Sequence, residues 1–336
     1  MENIVSAVRL KPKGLHLGHY LGNFATRKSA GINYSMPYLF VIEDLFPSTN
    51  FKTDKLNRNS ITLIEDLYTS ALMNNYDLKI VFLSDIVSYK SVINSLLLEF
   101  INVNHLRGIH PKRTYLRNSF DNIQLSEFMF IVFEAYYILA LNAKYVFMND
   151  DNLPFVNYSR KLARRINNTY GTIFTLPHLE TGIYPRLKGT DGERMSKSRE
   201  NEIYLNDSQE SLIKKLDIMF STSKCTKTYI RVDENGFYRH KTNPISENYI
   251  PFQYLDIFCE TKAGFIKNEF TSGTISLTDL RVTIENALKI FLDKFRKEKK
   301  SNKWNLSLLK HKLSEDLNYV RGILQNTESK ILEVIK

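Results

Sequence analysis

The sequence predicts an α/β protein, with a Rossmann-type parallel sheet in a nucleotide-binding domain and a C-terminal helical domain. Two observations predict it. The first half of the chain alternates short apolar runs with amphipathic stretches, whereas apolar residues after about residue 203 recur at helical spacing. A length of 336 residues allows one large or two smaller domains. We expect the first domain at 1–203, the second at 204–300, and a C-terminal helix at 301–336 that packs back on the core.

Short β-prone apolar runs predict the strands of the sheet. They cover residues 4–8, 38–42, 78–83 and 145–148. Between them the apolar spacing predicts helices, including residues 92–106 and 127–141. This alternation of strands and helices is typical of a doubly wound parallel sheet.

The second half is predicted to be helical because its apolar residues recur every three or four positions. The residues concerned are Leu212, Ile213, Leu216 and Met219, then Leu280, Ile284, Leu288, Phe291 and Phe295, and finally Leu313, Leu317, Val320, Leu324 and Ile331. A cationic run at residues 294–303 separates two of these stretches. Such a run is typical of a solvated connection.

The net charge of +10 and the sequence pI near 9.3 are those of a protein that attracts polyanions such as nucleic acid. A general bias toward Asn, Ile, Lys and Tyr gives the same charge. Both interpretations stay open at this point.

Several classes of protein and site are not indicated. Cys225 and Cys259 have neither CxxC nor Cys/His spacing, so we expect no disulfide framework and no metal site built from side chains. No apolar stretch reaches the length of a membrane span, and we expect a cytoplasmic protein without membrane contact. The chain lacks the GxGxxG of dehydrogenases and the GxxxxGK[ST] of P-loop kinases.

The first stretch that indicates chemistry is residues 11–22, where a β-prone run is followed by a glycine-rich turn and a helix start. Backbone N–H groups at such a turn can receive phosphate, and Gly18 leaves room for a nucleotide. His16 and His19 are three residues apart and could donate hydrogen bonds to a phosphoryl group as charge builds in the transition state. By itself this pattern fits two surface histidines between turn glycines equally well.

The second stretch is the basic segment at residues 192–198, which follows the glycines Gly182 and Gly189. Lys197 could meet a departing pyrophosphate, and Ser196 and Ser198 could donate hydrogen bonds to it while the glycines act as hinges. A solvated Lys/Ser loop is the alternative.

Together, His16-Leu17-Gly18-His19 and Arg194-Met195-Ser196-Lys197-Ser198 resemble the paired HxGH and MSKS signature of class I aminoacyl-tRNA synthetases. Within that class the chain is similar to the tryptophanyl-tRNA synthetase family along most of its length, notably at residues 12–22, 146–152 and 202–207. The resemblance implies a Rossmann catalytic domain that includes the MSKS loop (192–198), a helical domain that meets the tRNA anticodon, and a homodimer. It implies ATP and Mg²⁺, activation of tryptophan to an adenylate, and transfer to tRNA.

The resemblance also implies a set of site residues. The catalytic ones are His16, His19 and Lys197. Those that contact ATP are His16, Gly18, His19, Asn149, Arg194, Met195, Ser196, Lys197 and Ser198. Those that bind the amino acid are Val8, Phe46, Phe130, Glu134, Tyr137, Met148 and Asn152.

The amino-acid pocket departs from the family pattern. Tyr137 stands where bacterial-type tryptophan enzymes carry the aspartate that accepts the indole N–H, and Glu134 replaces an apolar methionine. The other departures are Phe130 for a tyrosine, Phe46 for a histidine, Asn152 for a glutamine and Asn149 for a glycine. Either tryptophan is retained, with Glu134 or Tyr137 meeting the indole N–H, or the substrate has changed. A buried Glu134 would favour an amine or a cation. A register shift by one residue would instead leave Glu134 solvated and Tyr137 in the core.

Three functions are therefore compared. The first is a tryptophan–tRNA ligase. The second is a synthetase-like paralogue that activates a different amino acid, for example for a biosynthetic pathway. The third is a non-catalytic RNA-binding relative, which the presence of His16, Gly18, His19 and Lys197 argues against, since binding alone does not require these groups.

Overall fold

The computed structural model describes residues 2–10, 13–25, 36–45, 56, 58–89, 92–109, 125–181, 187–195, 199–222, 228–232, 238–242 and 249–335. The chain divides into two compact units. Unit 1 consists of Met1–Pro12, Leu21–Pro185 and Trp304–Lys336, and unit 2 consists of Lys13–Tyr20 and Arg186–Lys303. The sequence pattern placed its divisions at 203/204 and 300/301 instead.

The strands and helices alternate in the first half, as the sequence predicts. The strands are β1 (Asn3–Arg9), β2 (Tyr38–Glu43), β3 (Leu78–Phe82), β4 (Ala143–Phe147), β5 (His178–Glu180), β6 (Thr228–Val232) and β7 (Tyr238–Thr242). The α-helices are α1 (Leu17–Tyr20), α2 (Arg58–Met73), α3 (Leu83–Ser88), α4 (Val92–Phe100), α5 (Val103–Ile109), α6 (Leu125–Ala140), α7 (Leu153–Tyr170), α8 (Gln209–Thr222), α9 (Ile250–Phe258), α10 (Ala263–Ser272), α11 (Leu277–Ser301) and α12 (Leu306–Val334). A π-helical turn occupies Leu21–Ala25 and a 3₁₀ turn Asp150–Asn152.

Unit 1 contains a parallel sheet with the strand order β3-β2-β1-β4-β5. This arrangement confirms the Rossmann-type prediction. Strand β2 is buried along its whole length and β1 along most of it, so both read as apolar runs. The short strand β5 was not predicted, because three residues do not make a recognisable run.

The strand order reverses at β1, which pairs with β2 on one side and with β4 on the other. Ligands of open α/β sheets bind beyond the carboxyl ends of the strands at such a switch point. Arg9 ends β1 and is paired in register with Glu43, which ends β2. A charged residue therefore terminates each of these two adjacent strands at the carboxyl edge.

The helix predicted over residues 92–106 is instead two helices, α4 and α5. The break is at Asn102, whose side-chain oxygen accepts a hydrogen bond from the backbone N–H of Asn104 at 2.9 Å. The Asn102 carbonyl accepts from His105 and Leu106. An asparagine in this position caps a new helix and competes with continuation of the old one.

Helix α12 packs against the sheet of unit 1 through a buried carboxylate. Oδ2 of Asp316 accepts a hydrogen bond from the Tyr68 hydroxyl at 2.6 Å and from the Ile80 backbone N–H at 2.8 Å. Tyr68 lies on α2 and Ile80 on β3, so one carboxylate joins three elements. Loss of either bond would leave a buried polar group unsatisfied, at a cost of about 1–3 kcal/mol each.

Unit 2 is mostly helical but contains an antiparallel hairpin of β6 and β7, which the sequence did not predict. Each strand has five residues and carries cationic side-chain types, so neither shows the continuous apolar run of a buried strand.

The cationic run at residues 294–303 is not a solvated connection as predicted. Helix α11 continues to Ser301, because Lys, Arg and Glu favour helices and cations are stabilised near a helix C-terminus. Within this run the Arg296 guanidinium donates to the Asp207 carbonyl and the Lys299 ammonium to Oδ1 of Asn206 at 3.3 Å. None of the helices in the described part of the chain has the length and apolar composition that crossing a bilayer requires.

Candidate active site

His16 is held between backbone and carboxylate in unit 2. Its Nδ1 accepts a hydrogen bond from the His19 backbone N–H at 3.3 Å, and its Nε2 lies 3.5 Å from Oε1 of Glu202. The side chains of His16 and Glu202 are 7% and 1% exposed. An imidazole that accepts at Nδ1 carries its proton on Nε2, directed at the carboxylate. Both ring nitrogens of His16 therefore have partners within the chain.

Glu202 is itself fixed by Tyr204, whose hydroxyl donates to Oε2 of Glu202. Burial and this hydrogen bond raise the pKa of the Tyr204 phenol, so the phenol stays a donor. Backbone pairing holds the two chain segments side by side. His16 and Tyr204 form an antiparallel β-bridge, and the Leu17 N–H donates to the Ile203 carbonyl at 2.8 Å. The HxGH turn and residues 202–204 thus form one local structure.

Gly18 is required by close packing at this turn. A Cβ added there would lie 3.1 Å from Cε1 and Nδ1 of His16 and 3.2 Å from Sδ of Met195. The His19 ring stacks on the His16 ring with centroids 3.7 Å apart, and His19 is half-buried where His16 is buried. His19 is therefore the more accessible of the two histidines.

The described stem of the MSKS segment is built around Asp191. Its carboxylate accepts from the Glu193 N–H at 3.0 Å and from Nδ2 of Asn201 at 2.6 Å, and these bonds together lower the pKa of Asp191. Nδ2 of Asn201 also lies 3.0 Å from the carbonyl of Arg194, whose side chain is exposed. Met195 is buried. The predicted residues Ser196, Lys197 and Ser198 lie outside the described residues.

A second polar cluster lies in unit 1 at the carboxyl edge of the sheet. Glu43 and Glu134 are 4% and 3% exposed, and Tyr137 is fully buried. The Tyr137 hydroxyl donates to Oε2 of Glu134, and the Glu43 carboxyl lies within hydrogen-bonding reach of both residues. Nε of Arg9 is 3.7 Å from Oε2 of Glu43, and the guanidinium lies 4.7 Å from the centroid of Phe130. The alternative register, in which Glu134 is solvated, is wrong.

The protonation of this cluster follows from its burial. Removal from water raises the pKa of Glu134 well above its usual range, and the adjacent Glu43 raises it further. Burial also raises the pKa of Glu43, but the hydrogen bond from Glu134 and the charge of Arg9 oppose that change. Burial and the two carboxyls raise the pKa of Tyr137. Of the two carboxyls, Glu134 has the more strongly raised pKa, so a proton held by the pair resides preferentially on Glu134.

The remaining predicted residues of unit 1 lie at the same strand ends. Val8 and Met148 are buried, and Val8 pairs in register with Ile42. Oδ1 of Asn149 lies 2.5 Å from where a Cβ on Gly22 would be, so Asn149 fills the space beside that glycine. Nδ2 of Asn152 donates to the Asn149 carbonyl at 3.3 Å. Phe46 lies outside the described residues.

Sequence reasoning missed Arg9, Glu43, Glu202 and Tyr204 as site residues. A signal was available for Glu43 and Arg9, because each is a charged residue that closes an otherwise apolar strand run. Glu202 gave no comparable signal, since its partner His16 is 186 positions away and only the fold brings them together.

Comparisons with known proteins identify the family of this chain. The model of the family described as tRNA synthetases class I (W and Y) matches residues 12–293. A tryptophan–tRNA ligase of Treponema pallidum (strain Nichols) is 27% identical over 336 residues, covering 97% of this chain and 94% of the relative. Among solved structures, tryptophanyl-tRNA synthetase of Mycoplasma pneumoniae has a TM-score of 0.72 at 18% identity, covering 100% of this chain and 98% of that one. The enzyme of Campylobacter jejuni, complexed with ADP and tryptophane, has a TM-score of 0.71 at 20% identity, covering 99% of each chain. These two structures share the fold.

Proposed function

Because the chain belongs to the class I tRNA synthetases (W and Y), the family of tryptophan and tyrosine enzymes, we propose that it is a tryptophan–tRNA ligase. It activates tryptophan with ATP to tryptophanyl-adenylate and transfers the tryptophanyl group to tRNA. The curated relatives are tryptophan–tRNA ligases and are matched along nearly the whole chain, which favours tryptophan over tyrosine. The alternative of a paralogue with another amino acid is not favoured.

The local structure formed by His16, Gly18, His19 and Glu202 carries this proposal. His19 is the more accessible histidine, and we assign it the hydrogen bond to the ATP phosphates. His16 acts as a positioning residue, since Glu202 and the His19 backbone occupy both of its ring nitrogens. An RNA-binding protein without catalytic activity would not need a buried His–Glu pair at the HxGH turn.

The predicted residues then have separate tasks. Gly18, Met195, Ser196 and Ser198 shape the nucleotide site. Arg194 and Lys197 supply positive charge to the departing pyrophosphate, and the two serine hydroxyls donate hydrogen bonds to it. Asn149 lies beside Gly22 and contacts the nucleotide. The amino acid is bound by Val8, Phe46, Phe130, Glu134, Tyr137, Met148 and Asn152.

In the first reaction the carboxylate of tryptophan attacks the α-phosphorus of ATP and pyrophosphate leaves. In the second a ribose hydroxyl of the tRNA attacks the acyl carbon and AMP leaves. Mg²⁺ commonly binds through substrate phosphates, and when bound with ATP it would supply charge neutralisation there.

Basic residues of unit 1 support tRNA binding. A cavity of about 300 Å³ is lined by His105 of α5 and by Tyr158, Lys161, Leu162, Arg164 and Arg165 of α7. The Arg165 guanidinium is held by the Phe100 carbonyl at 2.9 Å, so part of the charge is preorganised. The surface of the cavity itself is mainly apolar, and it is the exposed side chains of Lys161, Arg164 and Arg165 around it that would attract a phosphate backbone. The helical part of unit 2 is proposed to meet the anticodon.

Acylation of tRNA by the purified protein tests this function. With ATP, Mg²⁺ and tRNA(Trp) transcript, radiolabelled tryptophan is expected to become acid-precipitable, and radiolabelled tyrosine is not. Failure with tRNA but formation of the adenylate would limit the activity to activation. A homodimer is part of the proposal, and light scattering after size exclusion would give twice the 39.2 kDa mass of the chain.

A further inference from the structure

The Arg9–Glu43–Glu134–Tyr137 cluster lies where an α/β sheet binds its ligand. Arg9 and Glu43 end the adjacent strands β1 and β2, and β1 is the strand at which the strand order reverses. Glu134 and Tyr137 are on the same face of α6, three residues apart. The Arg9 side chain is 52% exposed, whereas that of Glu43 is 5% exposed, so the cluster leads from solvent into the interior.

The cluster has more acceptors than donors. Two carboxyl groups bring four oxygens, each with two lone pairs. Opposite them stand the Tyr137 hydroxyl, the proton that Glu134 shares with Glu43, and the Arg9 guanidinium. Buried acceptors are stabilised by every donor that reaches them.

We propose that Glu43 is a specificity-determining residue, and that the Glu43–Glu134 pair accepts the ring N–H of the substrate's side chain. The proposal rests on the proposed function. It adds a residue that the resemblance did not point to and changes the role of Glu134. Glu43 provides the negative charge, Arg9 anchors it, and Glu134 acts as a neutral group that extends the acceptor into α6.

The charge balance explains why a neutral N–H is preferred to a cation. With one proton shared, the two carboxyls carry a single negative charge, and the Arg9 guanidinium already balances it. An ammonium side chain would need Glu134 to give up its proton and ionise as the counter-ion, which burial makes costly. An indole N–H brings a donor and no charge. This proposal differs from the expectation that a buried Glu134 favours an amine or a cation.

Two isosteric variants separate this proposal from the simpler one in which Glu134 is the charged acceptor. Gln at position 134 resembles a neutral carboxyl, so Glu134→Gln is expected to raise KM for tryptophan by a smaller factor than Glu43→Gln does. Glu43→Gln removes the charge and is expected to raise that KM by about tenfold or more, with little change in kcat, because the lost interaction stabilises bound substrate and transition state alike. Glu99→Gln, on the exposed side of α4, is the matched control.

The assay is ATP–pyrophosphate exchange with tryptophan and with 3-benzothienylalanine, in which sulfur replaces the ring N–H. Wild type and Glu134→Gln are expected to prefer tryptophan, and Glu43→Gln is expected to lose at least about tenfold of that preference. The proposal is overturned if Glu43→Gln keeps the preference, or if Glu134→Gln loses as much as Glu43→Gln. Melting temperatures of all variants show whether a loss reflects unfolding.

Equilibrium dialysis with radiolabelled tryptophan distinguishes failure of the proposed catalytic function from failure of the specificity role of Glu43. Tryptophan binding that weakens in Glu43→Gln, without exchange in any variant, would support the specificity role and contradict the proposed catalysis. Tryptophan-dependent exchange that is equal in wild type and Glu43→Gln would support the catalysis and overturn the specificity role. Absence of tryptophan binding by wild type would overturn both.

Discussion

Nε2 of His16 lies 3.5 Å from Oε1 of Glu202, and both side chains are buried. Glu202 also accepts the Tyr204 hydroxyl, so the carboxylate fixes the imidazole on one side and is fixed on the other. The ring of His16 in turn supports the stacked ring of His19. A residue remote in sequence thereby sets the orientation of the HxGH histidines.

Substitution Glu202→Gln is expected to lower kcat of ATP–pyrophosphate exchange by about tenfold to a hundredfold. The amide cannot hold the His16 Nε2–H as a carboxylate does, and small misplacements in an active site are costly. KM for tryptophan is expected to change by less than about threefold, since Glu202 acts through His16 and is not among the residues assigned to the amino acid. Glu210→Gln, on the exposed first turn of α8, is the control. An unchanged kcat in Glu202→Gln would contradict this account of His16.

Gly18→Ala is expected to reduce exchange activity at least about tenfold. The added methyl group would meet the His16 ring at 3.1 Å and the Met195 sulfur at 3.2 Å, so one of them must move. Gly264→Ala has nothing within 4 Å of the new Cβ and lies inside α10, where Ala favours the helix by about 0.5–1 kcal/mol. Steady-state exchange and thermal unfolding of both variants provide the comparison. Equal activities would show that the close packing at Gly18 has no consequence.

Glu134→Gln is expected to change how stability depends on pH. In the unfolded chain Glu134 loses its proton near pH 4.5, whereas in the folded protein its raised pKa keeps the proton on. The stabilising contribution of this raised pKa is complete below pH 4.5 and is lost as pH rises toward the folded pKa, with a slope of at most about 1.4 kcal/mol per pH unit.

Gln has no proton to lose. The free energy of unfolding of Glu134→Gln minus that of wild type should therefore increase as pH rises above 4.5. Urea denaturation at each pH measures this difference. A difference that is constant, or that falls with pH, would mean that Glu134 is ionised in the folded protein.

Lys161→Glu is expected to raise KM for tRNA in the aminoacylation assay by about tenfold. The rate of ATP–pyrophosphate exchange without tRNA is expected to stay the same. Reversing the charge of the exposed Lys161 beside this cavity repels phosphate, while ATP–pyrophosphate exchange needs no tRNA. Lys310→Glu makes the same charge change on the exposed face of α12. Equal KM values for the two variants would place the tRNA contact elsewhere.

The fold could be predicted because its information is local. The buried strands β2 and β3 are continuous apolar runs, and the helices between them have regular apolar spacing. Helix α4 was predicted too long because one polar side chain, Asn102, outweighs the apolar spacing on both sides of it. The hairpin of β6 and β7 is held by cross-strand pairing, which composition does not reveal.

The candidate site could be predicted only where a short motif names it. His16, Gly18 and His19 follow from spacing in the chain, but Glu202 and Glu43 depend on contacts between distant segments. The burial of Glu134 could not be read from the sequence, and that burial raises the pKa of its carboxyl, as does the adjacent Glu43.

ATP–pyrophosphate exchange by the purified protein, measured with each of the twenty amino acids, tests the central claim most directly. The account predicts exchange with tryptophan, a much weaker signal with tyrosine, and loss of activity in a Lys197→Ala variant that unfolds at the same temperature as wild type. Exchange that depends on a different amino acid, or no exchange with any of them, would contradict it.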